Sequence, residues 1–265
     1  MQKTILITGA TDGIGLETAK NLVSLGHHLI IHGRNSEKLA ATKSLLMALP
    51  NVNTIDTVIA DLSELKAVKQ LADALLSEYQ HIDVLINNAG VFKTPQTKNA
   101  QGLDVRFVVN TIAPYYLSQL LAPVLNKQSR IVNLSSAAQS PVNIDAMLGR
   151  VDLDDMQAYA QSKLAIRLWT HSFSLNSESP DCISVNPGSL LASKMVKEGF
   201  GIAGNDLSIG ANIVSEIALS PDMAEHNGQY FDNDLGHFAT EPLSKQQLTM
   251  AVDIIDTMQH IINNG

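Results

Sequence analysis

The sequence predicts a single-domain α/β protein spanning residues 1–265, a doubly wound parallel sheet of about seven strands with helices on both faces. Two patterns predict it. Short apolar runs alternate with longer stretches of helical spacing, and a glycine-rich turn follows the first run directly. Strands that read as nearly continuous apolar runs belong to parallel sheets covered on both faces. Right-handed crossovers between them then build a doubly wound layer structure.

The elements follow in order. Thr4–Thr8 is the first strand, and Leu16 to Leu25 carries helical spacing. His28–Ile31 is the second strand, with a helix pattern from Ser36 to Leu49. Thr57–Ala60 leads through Asp61 to a helix over Ser63–Tyr79. Asp83–Asn87 is the fourth strand, and a long helical pattern covers Leu103 to Leu125. Arg130–Leu134, Cys182–Val185 and Gly228–Phe231 complete the strands; Asp155 to Asn176 and residues 243–263 read as helices. Ser189 to Asp206 is rich in glycine and serine and lacks strong periodicity, which makes it a candidate lid.

A formal net charge of −8 disfavours nucleic acid or an anionic membrane as bulk partner, because both require clustered Lys and Arg. No run of about 18 apolar residues marks a membrane span. The opening MQKTILITGA reads as a strand rather than a signal peptide. Cys182 is the only cysteine, so an internal disulfide is excluded; its apolar neighbours suit a buried, inert thiol. The eight histidines show no HExxH spacing, and no metal site is expected. A reducing cytoplasm fits these features.

TGATDGIG, Thr8 to Gly15, lies between the first strand and the first helix. A helix N-terminus presents free N–H groups and a positive dipole end, which suits a pyrophosphate. Glycines at 9, 13 and 15 permit the tight turn and close approach of the backbone. Gly9, Thr11, Asp12, Gly13, Ile14 and Gly15 are therefore candidate cofactor residues in a Rossmann-type fold. The second strand ends in His32-Gly33-Arg34-Asn35, with no acid to hold a free ribose. Arg34 offers a planar fork to a 2′-phosphate, favouring NADP(H), whereas the charge of Asp12 leaves NAD(H) possible.

In YAQSK, Tyr159 and Lys163 are four residues apart and share one face of a helix. A free phenol has a pKa near 10. A neighbouring ammonium, with the positive nicotinamide ring of an oxidised cofactor, favours the phenolate and makes the group a usable general acid or base.

Read in order, TGATDGIG, Asp61-Leu62, NNAG (Asn87 to Gly90), Asn110 within VVNTIAP, IVNLSS, YAQSK and Asn186-Pro187-Gly188 resemble the short-chain dehydrogenase/reductase family, over nearly the whole chain to about Gly236. GLDVRFVVNTIAPYYLSQLLAPVL, AYAQSKLAIRLWT and the long gap from Ser136 to Tyr159 are similar to its retinol dehydrogenase-like and WW-domain oxidoreductase-like branch. The resemblance implies a catalytic set of Asn110, Ser136, Tyr159 and Lys163. It places Ser136 on the substrate oxygen, Asn110 in a water relay from Lys163, and Ser135 pointing the other way. It puts Asp61 and Leu62 by the adenine, Asn88, Ala89 and Gly90 along the cofactor, and Pro187 and Gly188 beside the nicotinamide, where Ser193 replaces a threonine contact. Lys163 also meets the nicotinamide ribose.

The expected activity is hydride transfer between NADP(H) and a small carbonyl or alcohol. The alternative is a regulatory protein that senses the nucleotide without turnover, against which the intact acid–base set argues. The glycine spacing argues against a sugar-nucleotide epimerase or dehydratase. Leu190, Leu191, Met195, Val196 and Phe200 in the lid hint at an apolar substrate. Asp145, Asp152, Asp154 and Asp155 read as a solvated loop and a helix start. A homodimer or homotetramer is implied by the resemblance; Leu164, Leu168 and Trp169 suit either such a face or the core.

Overall fold

The computed structural model describes residues 1–193, 195–197 and 201–264. Its sheet has eight strands in the order β3-β2-β1-β4-β5-β6-β7-β8. They are β1 (Thr4–Ile7), β2 (His28–Gly33), β3 (Ile55–Ile59), β4 (Val84–Asn87), β5 (Arg130–Leu134), β6 (Asp181–Asn186), β7 (Tyr230–Asp232) and β8 (His237–Phe238). The first seven pair in parallel, and β8 turns back antiparallel on β7. That short edge strand has no apolar run to announce it.

Alternation along each strand feeds two cores. Leu6, Leu85, Ile131 and Cys182 face one layer; Ile5, Ile7, Ile86, Val132 and Ile183 face the other. The first layer contains α3 (Leu65–Glu78), α5 (Ala113–Leu120), α7 (Asp155–Ser174) and α9 (Lys245–Asn264). The second contains α1 (Gly13–Ser24), α2 (Ser36–Met47) and α8 (Leu207–Leu219). Trp169 and Leu168 are fully buried in the first core with Leu164, so these three are interior rather than a partner face. Cys182 is buried too, and burial pushes its thiol up.

Two helices depart from the sequence reading. α8 has no counterpart there, although Asn212 and Glu216 lie on its exposed side at helical spacing. Asp206 caps it, accepting from the Ser208 amide at 2.9 Å. The long helix expected over Leu103–Leu125 is instead α4 (Val105–Phe107), a π-helical turn over Val108–Ile112, and α5. Pro114 has no N–H for the carbonyl four residues back, that of Asn110. The ladder widens there, and the Ala113 amide donates to the Val108 carbonyl.

The acidic insertion is accounted for residue by residue. Asp145 pairs with Arg150 and Asp152 with Lys98 at the surface. Asp154 caps α7, accepting from the Gln157 amide, and Asp155 meets Arg106. Arg106 is only 1% exposed. Its Nε and Nη2 donate to the two oxygens of Asp104, at 2.8 and 2.6 Å, and its Nη1 to Asp155. One guanidinium thus pins the start of α7 to α4. Arg106→Met removes the partner of a buried carboxylate and is expected to cost about 3 kcal/mol. Asp155→Asn should cost less, since that carboxyl is partly solvated; urea unfolding of both variants reads the difference.

Candidate active site

The order of strands reverses between β1 and β4, and a crevice opens beyond the carboxyl ends of the strands there. Two turns meet in it. The side chain of Asn88 donates to the carbonyls of Thr8 and Gly9, at 2.8 and 2.9 Å. The Thr8 hydroxyl accepts from the amides of Asn88 and Ala89, at 3.0 and 3.1 Å. A Cβ on Gly15 would lie 2.3 Å from Asn88 Nδ2, and one on Gly9 2.8 Å from Ala89 Cα. These two glycines make room for the NNAG turn. Gly13 differs: its φ is +56°, and the nearest atom to a Cβ there is Ser193 Cβ at 3.6 Å. It lines the crevice at the N-terminus of α1, as Gly9 does, while Gly15 stands behind it. Asp12 caps that helix, accepting from the Gly13 amide at 2.7 Å.

His32, which the sequence reading passed over, joins three strand ends. Its Nδ1 accepts from the Gly9 amide at 3.2 Å, and its Nε2–H donates to the Ala60 carbonyl at 3.1 Å. Both bonds need the neutral ring, and burial pushes its pKa down to about 4.

A cavity of 530 Å³ runs along the crevice. Thr11, Arg34 and Lys38 line it at the β2 end. Gly9, Asp12, Gly13, Ile14, Asp61, Leu62, Asn88, Ala89 and Gly90 line its middle, and Tyr159, Lys163, Pro187, Ser193 and Met195 the rest. Asp61 is tied into its own turn, accepting from the amide and hydroxyl of Ser63 at 2.9 and 2.7 Å. Gly15, Asn110, Ser136 and Gly188 stand outside the lining. His32, Lys38, Val91, Phe92, Lys93 and Val109 join it without having been expected. At the neck of the candidate lid Leu191 bridges to Asn205, and Phe200 lies outside the described residues.

Residues of α7 form the far wall. Tyr159 and Lys163 sit one turn apart, Nζ 5.6 Å from the ring centroid. Nζ donates to the Leu134 carbonyl at 2.7 Å, and the Ser135 hydroxyl to the Lys163 carbonyl at 2.7 Å. Ser135 thus turns toward α7. The Ser136 hydroxyl accepts from the Ala138 amide at 3.1 Å and is near enough to the Tyr159 phenol to draw its pKa down. Phe92 meets that phenol ring edge-on, centroids 5.2 Å apart.

Asn110 uses its side chain otherwise. Its Oδ1 accepts from the Val91 amide at 2.8 Å; its Nδ2 donates to the Val91 carbonyl and the Ser162 hydroxyl, both at 2.9 Å. Gly90 separates it from Lys163: a Cβ there would lie 3.4 Å from Asn110 Oδ1 and 3.5 Å from Nζ.

The electrostatics of the unliganded chain differ from those expected with an oxidised cofactor in place. In the unliganded chain burial pushes the Tyr159 phenol up, with the Ser136 hydrogen bond pulling back. Burial also pushes the Lys163 ammonium down to about 7. Desolvation disfavours the charged form of both groups.

The family model for short chain dehydrogenases matches residues 3–200. The chain belongs to that family. Human retinol dehydrogenase 13 is 30% identical over 260 residues, 87% of this chain and 76% of the relative. The chloroplastic short-chain dehydrogenase TIC 32 A of Brassica napus is 32% identical over 254 residues, 86% of this chain and 79% of the relative. A short-chain dehydrogenase of Burkholderia cenocepacia, solved in complex with NADP, superposes with a TM-score of 0.68 at 25% identity, covering 87% of this chain and 95% of that one. This short-chain dehydrogenase thus lies in the retinol dehydrogenase-like branch. Among the described residues no helix is long and apolar enough to cross a membrane.

His32 sets a pH dependence. Its folded-state pKa of about 4 lies below the ordinary 6.5, so on acidification the unfolded chain takes the proton first. Its stabilisation is complete above 6.5 and is lost as pH falls toward 4, by about 3 kcal/mol at most. His32→Asn keeps an acceptor for Gly9 and removes the titration. Urea unfolding across this window should give a shallower pH slope in the variant than in wild type.

Proposed function

We propose that the protein is an NADP(H)-dependent oxidoreductase that interconverts a carbonyl and an alcohol, with Tyr159 as general acid–base. The observation that carries this reading is the phenol of Tyr159, beside Ser136 and one helical turn from a buried lysine, in the wall of a cavity whose other end carries Arg34. The cavity fits a dinucleotide by its own features. Gly13 lines the cavity at the α1 N-terminus, where a pyrophosphate is stabilised by free amides and the helix dipole. Arg34 and Lys38 line the end next to β2, where the ribose 2′-position belongs, and two cations there favour a 2′-phosphate. The NADP complex of the Burkholderia relative is in keeping with this.

When bound, the dinucleotide supplies or accepts the hydride. The protein's part is proton transfer and orientation. Ser136 holds the substrate oxygen beside the phenol and stabilises charge developing on it. Tyr159 donates its proton to that oxygen in reduction and takes the alcohol proton in oxidation. Lys163 binds the ribose hydroxyls and favours the phenolate once the site is filled. Asn110 supports the relay to Lys163 through its main-chain carbonyl, which Pro114 leaves without an α-helical donor. Phe92 and Met195 give the substrate end apolar walls, fitting an apolar carbonyl or alcohol. The homodimer or homotetramer implied by the family requires a face other than Leu164, Leu168 and Trp169.

A screen of carbonyls with NADPH and of alcohols with NADP, followed by nicotinamide absorbance, tests the activity. Tyr159→Phe should retain cofactor affinity and lose turnover by roughly 100- to 10,000-fold. Retained turnover removes the assignment. Lys163→Met should weaken cofactor binding as well.

Arg34→Ala should raise the KM for NADPH by roughly tenfold or more while leaving that for NADH nearly unchanged. Equal use of NAD before and after the change excludes the 2′-phosphate role.

A further inference from the structure

Ser136 stands two residues beyond the end of β5, so no strand neighbour fixes its peptide plane. The last main-chain bond on this edge is from the Ser135 amide to the Val185 carbonyl, at 2.8 Å. Two side chains take over. Gln139 Nε2 donates to the Ser136 carbonyl at 2.7 Å, and the Tyr230 hydroxyl donates to the same oxygen at 3.0 Å. Gln139 Oε1 in turn accepts from Arg167 Nη1 at 3.1 Å. The Arg167 guanidinium lies over the Tyr230 ring, 4.3 Å from its centroid, which closes a cycle of four residues.

Chemistry fixes the direction of every link. A guanidinium donates and never accepts, so the amide oxygen of Gln139 must face Arg167. Its NH₂ must then face Ser136, where a carbonyl awaits a donor. The ring of Tyr230 is held by the cation on its face, which aims its hydroxyl at the same carbonyl. Arg167 is one helical turn beyond Lys163 on α7, so the cycle also ties Ser136 to the helix that carries Tyr159. Among the described residues Arg167 has no carboxylate within ion-pair distance; its fork is committed to the amide and the ring.

We propose that Arg167, Gln139 and Tyr230 are positioning residues that fix the Ser136 peptide so that its hydroxyl stays on the Tyr159 phenol. The Ala138 amide occupies one lone pair of that hydroxyl and leaves its proton for the phenol oxygen. The inference rests on the assignment of Ser136 and Tyr159 to the reacting site, but its structural half is measurable without turnover.

Gln139→Glu is the informative change. It preserves size and strengthens the pairing with Arg167, yet offers the Ser136 carbonyl an acceptor where it had a donor. Protein labelled with ¹³Cζ-tyrosine gives a resonance for Tyr159, assigned by its loss in Tyr159→Phe, whose position reports the hydrogen bond at the phenol oxygen. Ser136→Ala should move this resonance. Gln139→Glu and Arg167→Met should move it in the same direction, and Tyr230→Phe, which keeps the stacked ring, by less. Turnover in Gln139→Glu should fall by about tenfold, the worth of one hydrogen bond, with the NADPH Kd unchanged. A merely structural role predicts a wild-type resonance in Gln139→Glu, whose fold is retained, and that result overturns the proposal. So does a resonance that ignores Ser136→Ala. Absence of turnover in wild type with every carbonyl tried sinks the enzymatic reading alone, and the resonances still decide the clamp.

Discussion

The site is organised around a lysine that is almost wholly buried at the wall of the cavity. Lys163 is 4% exposed, and its Nζ donates to a strand-end carbonyl rather than to a carboxylate. Burying a cation this way is costly, which is why the ammonium is pushed down to about 7. The surrounding structure holds it there by fixing α7 against the sheet at several points. Ser135 bonds the lysine's own carbonyl, Thr111 bonds the Ser162 carbonyl at 2.6 Å, Asn110 bonds the Ser162 hydroxyl, and Arg106 secures the helix start. Each contact lies within two turns of Tyr159. The helix is therefore set in register before any ligand arrives, the preorganisation that proton transfer over hydrogen-bond distances requires.

A second junction holds the cofactor side of the crevice. Asn88 belongs to the turn after β4 but spends its amide on the turn after β1, and Gly15 exists to let it in. His32 ties the same turn to β2 and β3. Two polar residues thus shape the rim where strand order reverses. Of the glycine triplet, Gly9 and Gly15 serve this packing of protein on protein, and Gly9 and Gly13 line the cavity.

How much of this the sequence discloses depends on the range of the interaction. Parallel strands covered on both faces leave continuous apolar runs, so β1, β2, β4, β5 and β6 are readable directly. Tyr159 and Lys163 are readable because helix geometry alone joins residues four apart. Pro114 was a local sign of the broken helix, legible once its missing N–H is matched to the carbonyl of Asn110. α8 was legible in principle, since Ser208, Asn212 and Glu216 recur at helical spacing. The Arg106–Asp155 and Arg167–Gln139 contacts join segments 49 and 28 residues apart, and no local pattern encodes such pairings. His32 and Phe92 escaped notice for the same reason: their roles come from what strand order brings beside them.

The ionisation of the unliganded site was not legible, because pairing is visible in a sequence and desolvation is not. The spacing of Tyr159 and Lys163 discloses an attraction, but only the folded chain discloses that both groups have lost water. Under the proposed reaction the consequence is directional. A phenol kept protonated is already in the form that donates to a carbonyl oxygen, whereas alcohol oxidation first requires its deprotonation. Filling the cavity is therefore the step that must supply the charge balance for oxidation, since the unliganded site, with its ammonium weakened by burial, does not. In that proposal the fold fixes Tyr159 and Lys163 in place and leaves their ionisation to the ligand.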